Sequence, residues 1–191
     1  MESMLKGIGD FGDFSLKSDI KDIFEKPKYK LELNTRNLNV APLTGIDTLN
    51  SDLNMNLQVN GQGFDPEKIN VSTNLNVSTS YFQDLKLDNL SGRFQYDRKN
   101  LVVENMDLNL NKLQLNLSGD YNPAGRSDLN LAADFENLSG LDYYIPVSEI
   151  NSKGKIYARV YGKKDSLNVD AKINFSDINF EGNAAENLIL T

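Results

Sequence analysis

The sequence predicts an all-β protein: an elongated, curled antiparallel β-sheet of about ten or more strands with an apolar concave face, plus one or two short helices. From Leu53 to Leu117, aliphatic residues alternate with Asn, Asp, Ser, Gln and Lys. Because successive side chains of a strand point to opposite faces, this period of two indicates strands with one apolar and one polar face. Gly, Pro and Asn separate the runs, as expected of turns.

Composition restricts the classes of function. The 191 residues are 39% hydrophobic and 25% charged, which is typical of a globular chain. The formal net charge of −7 argues against nucleic-acid binding, which depends on clustered Lys and Arg, and against attraction to an anionic membrane. We therefore expect no nucleic-acid partner.

The chain contains no Cys and no His. Disulfides and thiolate sites are thereby excluded, and the usual general base and the commonest metal ligand are missing. No run of 18 apolar residues could form a membrane-spanning helix, and Met1–Gly9 lacks the apolar run of a signal peptide. Since Leu188–Thr191 ends inside a strand-like run, we expect an interior fragment of a longer protein.

Near the start, Lys17–Glu25 is predicted to form a helix. Leu16, Ile20 and Ile23 have helical spacing, and Pro27 follows as a stop signal. A strand on the same Leu16 and Ile20 remains the alternative. We accordingly divide the chain into residues 1–27, a loop with a short helix or strand, and residues 28–191, a repetitive sheet.

Strands are predicted along the rest of the chain. The apolar phase switches near Arg36–Asn37 and again before Ile178, which predicts a bulge or bend at both places. A turn is predicted at Asn60–Gly63, and a short helical turn at Leu138–Ile145. The predicted strands are Tyr29–Leu33, Leu38–Val40, Leu49–Asn60, Ile69–Tyr81, Leu85–Leu90, Gly92–Tyr96, Leu101–Leu110, Leu113–Tyr121, Ser127–Leu138, Lys153–Gly162, Ser166–Phe175, Ile178–Phe180 and Leu188–Thr191.

Two loose repeats are visible, at about residues 43–90 and 143–191. The alternating residues of Leu53–Gly61 align with those of Gly154–Gly162, and Val71–Val77 aligns with Val169–Phe175. Repeats of this kind favour a sheet that elongates unit by unit.

Two short motifs suggest chemistry that their context does not support. Gly7-x-Gly9-x-x-Gly12 has the spacing of a dinucleotide-binding loop, but no βαβ unit surrounds it, so we interpret it as a loose entry loop. Asp10–Phe11–Gly12 has the sequence of the metal-binding motif of protein kinases, but the other kinase signatures are missing, so we interpret the match as coincidence.

Three carboxylate pairs are candidates for acid–base chemistry or for calcium binding. The pairs Asp84 with Asp88 and Glu104 with Asp107 fall on solvated strand faces or turns, and Asp10 with Asp13 makes a weak calcium candidate. We predict no enzymatic activity, no catalytic residue, no cofactor and no metal.

The apolar face needs a cover, because exposed patches beyond a few hundred Å² mark interaction sites. The sheet could pack on itself as a β-sandwich, close as a barrel, or curl into an open groove that holds acyl chains. A Leu, Val, Ile and Met lining lacks the convergent polar groups of a specific pocket and suits lipid tails. Alternation alone does not exclude the β-sandwich. In that case the protein would be a self-packed structural or adhesive module that binds through loops such as Asn60–Asp65 or Asn122–Arg126.

Three segments carry a resemblance to a known family. Gly92–Asn122 contains Gly-x-Phe-x-Tyr-Asp, a turn, Leu-x-Val and a strand ending in Ser-Gly. Ile150–Asn168 has Lys153–Gly154 opening a strand, and Asn37–Gly45 reads Asn-Leu-x-Val-x-Pro-Leu-Thr-Gly. These segments resemble the AsmA/TamB superfamily of bacterial envelope proteins, in particular the TamB-like branch in its Asn-rich Bacteroidota style.

The resemblance implies a periplasmic segment of a protein anchored in the inner membrane by a helix outside this chain. Its apolar groove would carry phospholipid acyl chains toward the outer membrane. A role in outer-membrane biogenesis, with a barrel assembly protein contacted through other regions, is also implied. The residues expected to line the lipid groove are Leu53, Met55, Leu57, Val59, Val71, Leu75, Val77, Leu108, Leu110, Leu113, Leu115, Leu117, Leu129, Leu131, Ile156, Val160, Val169 and Ile173.

Overall fold

In the computed structural model, one antiparallel sheet accounts for nearly all of the described chain, which comprises residues 2–46, 49–83, 85–136, 151–180 and 183–190. Seven strands and one helix precede residue 88. They are β1 (Glu2–Gly9), β2 (Gly12–Lys21), β3 (Lys28–Leu38), α1 (Ala41–Thr44), β4 (Ser51–Gln62), β5 (Asn70–Val77), β6 (Ser80–Phe82) and β7 (Leu85–Leu87).

Seven strands follow, most of them longer than those of an average sheet. They are β8 (Asn89–Asp97), β9 (Asn100–Leu110), β10 (Leu113–Tyr121), β11 (Arg126–Phe135), β12 (Asn151–Lys163), β13 (Ser166–Phe180) and β14 (Asn183–Leu190).

The topology is a meander with one inserted hairpin. Each strand pairs antiparallel with its neighbour in the order β1-β2-β3-β4-β5-β8-β9-β10-β11-β12-β13-β14, while the β6–β7 hairpin leaves this path and attaches to β4. Strands β1 and β14 are the two edges and do not pair with each other. The all-β, antiparallel prediction is confirmed, and among the described residues the sheet is neither a sandwich nor a closed barrel.

The helix predicted at Lys17–Glu25 is wrong, and the strand alternative is correct. Leu16, Ser18 and Ile20 lie in β2, between β1 and β3, and the chain then turns at Asp22, whose φ is +52°. Ile20 and Leu16 satisfy both a helical and a strand period, so pairing with two neighbouring strands decides the outcome.

The glycines near the start form a hairpin, so the predicted loose loop is wrong. Gly9 pairs with Gly12 across the β1–β2 turn.

The turn predicted at Asn60–Gly63 begins later in the chain. Strand β4 continues to Gln62, and only Gly63, with φ +82°, lies outside the strand. The helix α1 was not predicted; Pro42 lies in its first turn and Gly45 ends it with φ +69°. The helical turn expected at Leu138–Ile145 falls on residues that the structure does not describe.

Both predicted phase switches are confirmed. The β3–β4 register shifts between Thr35 and Leu38, where Asn37 has φ +49° and donates its N–H to the Asn54 side chain at 2.9 Å. The β12–β13 register shifts at Gly154, which leaves Ser176 unpaired before Ile178. A third bulge, not predicted, lies in β9, because Arg93 pairs with Asn105 while Phe94 pairs with Val103.

Candidate functional site

The candidate site is the apolar face of the sheet, whose side chains line up in rows across the strands. Residues that pair directly on neighbouring strands point to the same face. The register therefore connects one residue per strand into a continuous line from β1 to β13. This line, row A, is Leu5, Leu16, Leu33, Leu57, Leu75, Gly92, Met106, Leu117, Leu131, Ala158 and Ala171.

Two further rows flank row A. Row B crosses all twelve strands of the main path and contains Gly7, Phe14, Thr35, Met55, Val77, Leu90, Leu108, Leu115, Ala133, Ile156, Ile173 and Leu190. Row C, on the other side, contains Ser3, Ser18, Leu31, Val59, Thr73, Phe94, Val103, Gly119, Leu129, Val160 and Val169. None of the three rows contains an Asp, Glu, Lys or Arg.

All eighteen residues predicted to line a groove lie on this one face. Fourteen of them belong to rows A to C, Val71 lies beyond row C, and Leu53, Leu110 and Leu113 lie beyond row B on the same faces of their strands. The face also contains residues that the prediction left out. These are chiefly Leu5, Phe14, Leu16, Leu31, Leu33, Leu90, Phe94, Val103, Met106, Phe135 and Phe175.

The omissions have two causes. Leu31 and Leu33 alternate as clearly as Met55 and Leu57, so the same signal could have included them. Val103 and Met106 are three residues apart, so strict alternation would put them on opposite faces of β9. The bulge at Glu104 shifts the alternation by one residue and brings both to the apolar face. Only a search for such a shift within the strand would have found this.

The apolar face is only partly shielded from water. The buried apolar strand residues of the described chain are Leu38, Val77, Val103, Ala133 and Phe135, and all five lie on this face. Exposure rises toward the edges, reaching 58% at Leu5 and 64% at Val169. The face thus has a partly covered middle and uncovered ends.

Three of the four Ser and Thr side chains of rows A to C make local hydrogen bonds. The Thr35 hydroxyl donates to the Leu53 carbonyl at 3.0 Å and accepts from the Met55 N–H at 3.1 Å. At the β1 edge, the Ser3 and Ser18 hydroxyls bond to each other at 2.6 Å. These groups satisfy one another rather than converging on a ligand, which leaves the face without the polar anchors of a specific small-molecule site.

Tyrosines follow row C at one margin. Row D, on the same face, contains Ile20, Tyr29, Gly61, Val71, Tyr96, Leu101 and Tyr121. Tyr29 covers Gly61 so closely that a Cβ there would collide with its ring, and it stacks on Phe64 with centroids 5.5 Å apart. Partial burial raises the pKa of Tyr29 above its ordinary value, consistent with the apolar surroundings of the ring.

The opposite face is polar and holds several ion pairs, among them Lys17 with Glu32 and Lys155 with Asp134. Asn56 donates to Asn34 at 2.5 Å, and Arg159 donates two hydrogen bonds to the Asp128 carboxylate, at 2.8 and 2.5 Å. A depression of about 720 Å³ on this face is bordered by Asp107 and Lys172, among others. Within this depression, the Asn116 side chain donates a hydrogen bond to the Asp107 carboxylate.

The carboxylate pairs considered from the sequence are not assembled into a site. Asp107 accepts a hydrogen bond from Asn116, and Glu104 accepts one from Gln95 on the neighbouring strand. Asp88 forms an ion pair with Lys86 at 2.6 Å, which lowers the pKa of its carboxyl group. Asp84 is not among the described residues.

Across the described ranges, no three His, Cys, Asp or Glu side chains gather in a way that could hold a metal ion. The four-residue α1 is far too short to cross a bilayer, and no longer apolar helix occurs in the part of the chain that the structure describes.

Fold and site together define an all-β protein with a single open antiparallel sheet and one continuous apolar face. Comparisons with protein-family models, with curated proteins and with solved structures find no match to this chain.

Proposed function

We propose that this chain is a non-enzymatic lipid-conducting segment whose apolar face holds phospholipid acyl chains. The observation that carries the proposal is the continuity of row B, which crosses all twelve strands of the main path without a charged residue. An acyl chain on this face can move from strand to strand over a surface of similar chemistry at each step.

Energetics favour an occupant for this face. Full burial of an aliphatic side chain contributes about 1.5–3 kcal/mol, and most side chains of the three rows remain partly in water. Exposed patches of this kind mark protein or lipid interaction sites. Acyl chains match the face because they require contact with apolar groups and no hydrogen-bond partners.

The setting of the proposal comes from the resemblance to the AsmA/TamB superfamily. On that resemblance we propose that the segment lies in the periplasm, as part of an inner-membrane-anchored bridge toward the outer membrane with a role in outer-membrane biogenesis. That setting is a separate proposal from lipid binding, and fractionation of cells expressing the tagged full-length protein tests it.

The proposal is tested by measuring phospholipid transfer between donor and acceptor vesicles with a single-residue replacement in row B. Leu115 lies between Leu108 and Ala133, near the middle of the sheet. Leu115→Asp places a charge against the acyl chains, and we expect it to slow transfer at least about fivefold, because a carboxylate next to hydrocarbon loses hydration. Leu115→Met preserves the apolar surface and should transfer lipid at the native rate.

A matched control places the same charge on the other face. Asn130 lies on β11 with its side chain on the polar face, beside Arg159, so Asn130→Asp adds a carboxylate where it is tolerated. We expect it to transfer lipid normally. Equal transfer by Leu115→Asp and Leu115→Met, with unchanged circular dichroism, would contradict the proposal.

Direct detection provides a second test. Native mass spectrometry after mild purification should show bound phospholipid. A lipid-free protein that remains soluble and instead holds a stoichiometric protein partner on rows A to C would indicate an interaction module.

A further inference from the structure

The two edge strands differ from the rest of the sheet on its polar face. In the main path from β2 to β13, the polar face contains no Leu, Ile, Met or Phe among the side chains that the structure describes. At the edges, Met4 and Ile8 of β1 and Ile189 of β14 lie on this face. They are 51%, 81% and 60% exposed. Both edge strands thus carry apolar side chains on both faces, as expected where a further strand covers an edge.

Strand β1 is open to pairing along its whole length. It forms an antiparallel ladder with β2 from Glu2 to Gly9, and this ladder contains neither a bulge nor a proline. Among the described strands, β1 pairs with β2 alone, so alternate N–H and C=O groups of β1 point away from the sheet. Addition of a strand to such an edge is a recurring mode of protein association.

Strand β1 also carries one charge of each sign, four residues apart on the polar face. Glu2 and Lys6 are exposed, and no ion pair of the described residues includes either of them. Glu2 lies opposite Asp19 of β2, and like charges in this position destabilise a sheet. A lysine on an edge strand discourages pairing, unless the added strand brings a carboxylate opposite it. The edge therefore favours an incoming strand with a cation opposite Glu2 and an anion opposite Lys6.

A second copy of β1 has these charges in the required order. When two copies of β1 run antiparallel with Met4 opposite Met4, Glu2 of each copy lies opposite Lys6 of the other. Two opposite-charge pairs then flank the methionines on the polar face, and Ser3 lies opposite Leu5 on the apolar face. Centring the pair on Leu5 would put both charges opposite apolar residues, and centring it on Lys6 would put two lysines together. The charges therefore select the register centred on Met4.

The symmetry of this pairing preserves the faces of the sheet. The two-fold axis that relates two antiparallel edge strands of one sheet is perpendicular to the sheet, so both apolar faces lie on the same side. At the seam, row A of each copy meets row C of the other, at Leu5 and Ser3. The exposed β1 end of the apolar face would become the middle of a face twice as long.

We infer that β1 is the contact of a symmetric dimer, in which a second copy of this chain continues the sheet with Met4 opposite Met4 and Glu2 opposite Lys6. Pairing of β1 with β14 does not offer the same match, because β14 contains no Lys or Arg to place opposite Glu2. One short strand makes a small contact, so the dimer is weak and its amount depends on protein concentration. The inference goes beyond the proposed function and does not depend on lipid binding.

A disulfide test measures the register directly. The chain has no Cys, so an introduced thiol is unique. In Met4→Cys the two thiols face each other with Cα atoms about 4.5–5.5 Å apart, which is within the range of a disulfide. We expect this variant to form a covalent dimer under mild oxidation. Ile8→Cys is the matched control on the same strand and face, because its two copies would lie roughly 27 Å apart and should stay unlinked.

Exchange of the charges tests recognition without a covalent bond. Glu2→Lys places lysines opposite each other twice in the dimer, and we expect it to weaken dimerisation at least about tenfold in sedimentation equilibrium. Glu2→Lys with Lys6→Glu restores both pairs in reverse and should return the dissociation constant to within about twofold of the native value. Glu136→Lys is the matched control, because it changes the net charge equally at an exposed site far from β1, and it should dimerise normally.

The remaining outcomes overturn the inference. A native protein that stays monomeric up to its solubility limit does not pair through β1. Equal linkage of Met4→Cys and Ile8→Cys would show random collision, and linkage of Ile189→Cys instead would show that the copies meet at β14. If Glu136→Lys weakens the dimer as much as Glu2→Lys, net charge rather than β1 controls association. Lipid transfer by a monomeric protein would leave the proposed function standing, and a dimer that transfers no lipid would overturn the proposed function alone.

Discussion

The ring of Phe135 meets the ring of Phe175 edge to face, with centroids 6.0 Å apart and planes inclined at 69°. Phe135 lies on β11 and Phe175 on β13, and Gly154 of β12 pairs with both. Without a side chain at Gly154, the two rings contact each other across an intervening strand. Phe135 is only 2% exposed, the lowest exposure of the buried apolar residues on this face, so the cluster is a well-packed part of it.

The first prediction concerns the stability contributed by this cluster. We expect Phe135→Ala to lower the free energy of unfolding by about 3–5 kcal/mol, because it removes a buried ring and leaves a cavity. Val169→Ala, at a position that is 64% exposed on the same face, should cost less than about 1 kcal/mol. Urea denaturation followed by circular dichroism measures both, and equal losses would show that Phe135 is no better packed than the edge.

The second prediction concerns Gly119, opposite the bulge in β9. Its φ is +124°, and a Cβ there would collide with the carbonyl oxygen of Asp128 on β11. Gly119→Ala should therefore destabilise the protein by about 3 kcal/mol or more, since strain and overpacking add. Gly45 also has positive φ, at +69°, but its surroundings are open, so Gly45→Ala should cost only about 1 kcal/mol.

Thermal unfolding of the two glycine variants separates the causes. Conformational strain is common to both positions, whereas the collision occurs only at Gly119. A loss at Gly45 as large as that at Gly119 would mean that backbone conformation alone accounts for the effect.

Alternation in the sequence was sufficient to place the site residues on one face, but not to align them. Leu57, Leu75 and Leu117 are assigned to the same side by a period of two. That Leu57 lies directly opposite Leu75, and Leu117 opposite Leu131, depends on turn lengths and bulges, which alternation does not encode. The rows could therefore be recognised only once the register was known.

The first 25 residues show where local pattern fails. Leu16, Ile20 and Ile23 have the spacing of a helix, yet Leu16 pairs with Leu5 and Leu33 in the sheet, and Ile23 lies in an exposed turn. Short segments satisfy both periods by coincidence, so the neighbouring strands decide. Alternation likewise could not distinguish a sandwich from an open sheet, because both folds need the same apolar face.

The third prediction concerns pH. The Arg159 guanidinium donates two hydrogen bonds to Asp128, which holds the pKa of that carboxyl below its ordinary value. A carboxyl group with a lowered pKa in the folded state stabilises the protein above its unfolded pKa of about 3.9. That stabilisation is lost as the pH falls through the lower, folded value. We therefore expect stability to decline in acid partly through this pair.

Arg159→Gln tests the cause. Without the guanidinium, the pKa of Asp128, measured by NMR titration, should rise toward about 3.9. The stability of the variant should then depend less on pH in the acidic range than that of the native protein, with the two curves converging at the lowest pH. Because Arg159 also lies over the Tyr161 ring at 4.8 Å, part of the loss at neutral pH will be independent of pH. An unchanged pKa of Asp128 in Arg159→Gln would show that the ion pair is not formed in solution.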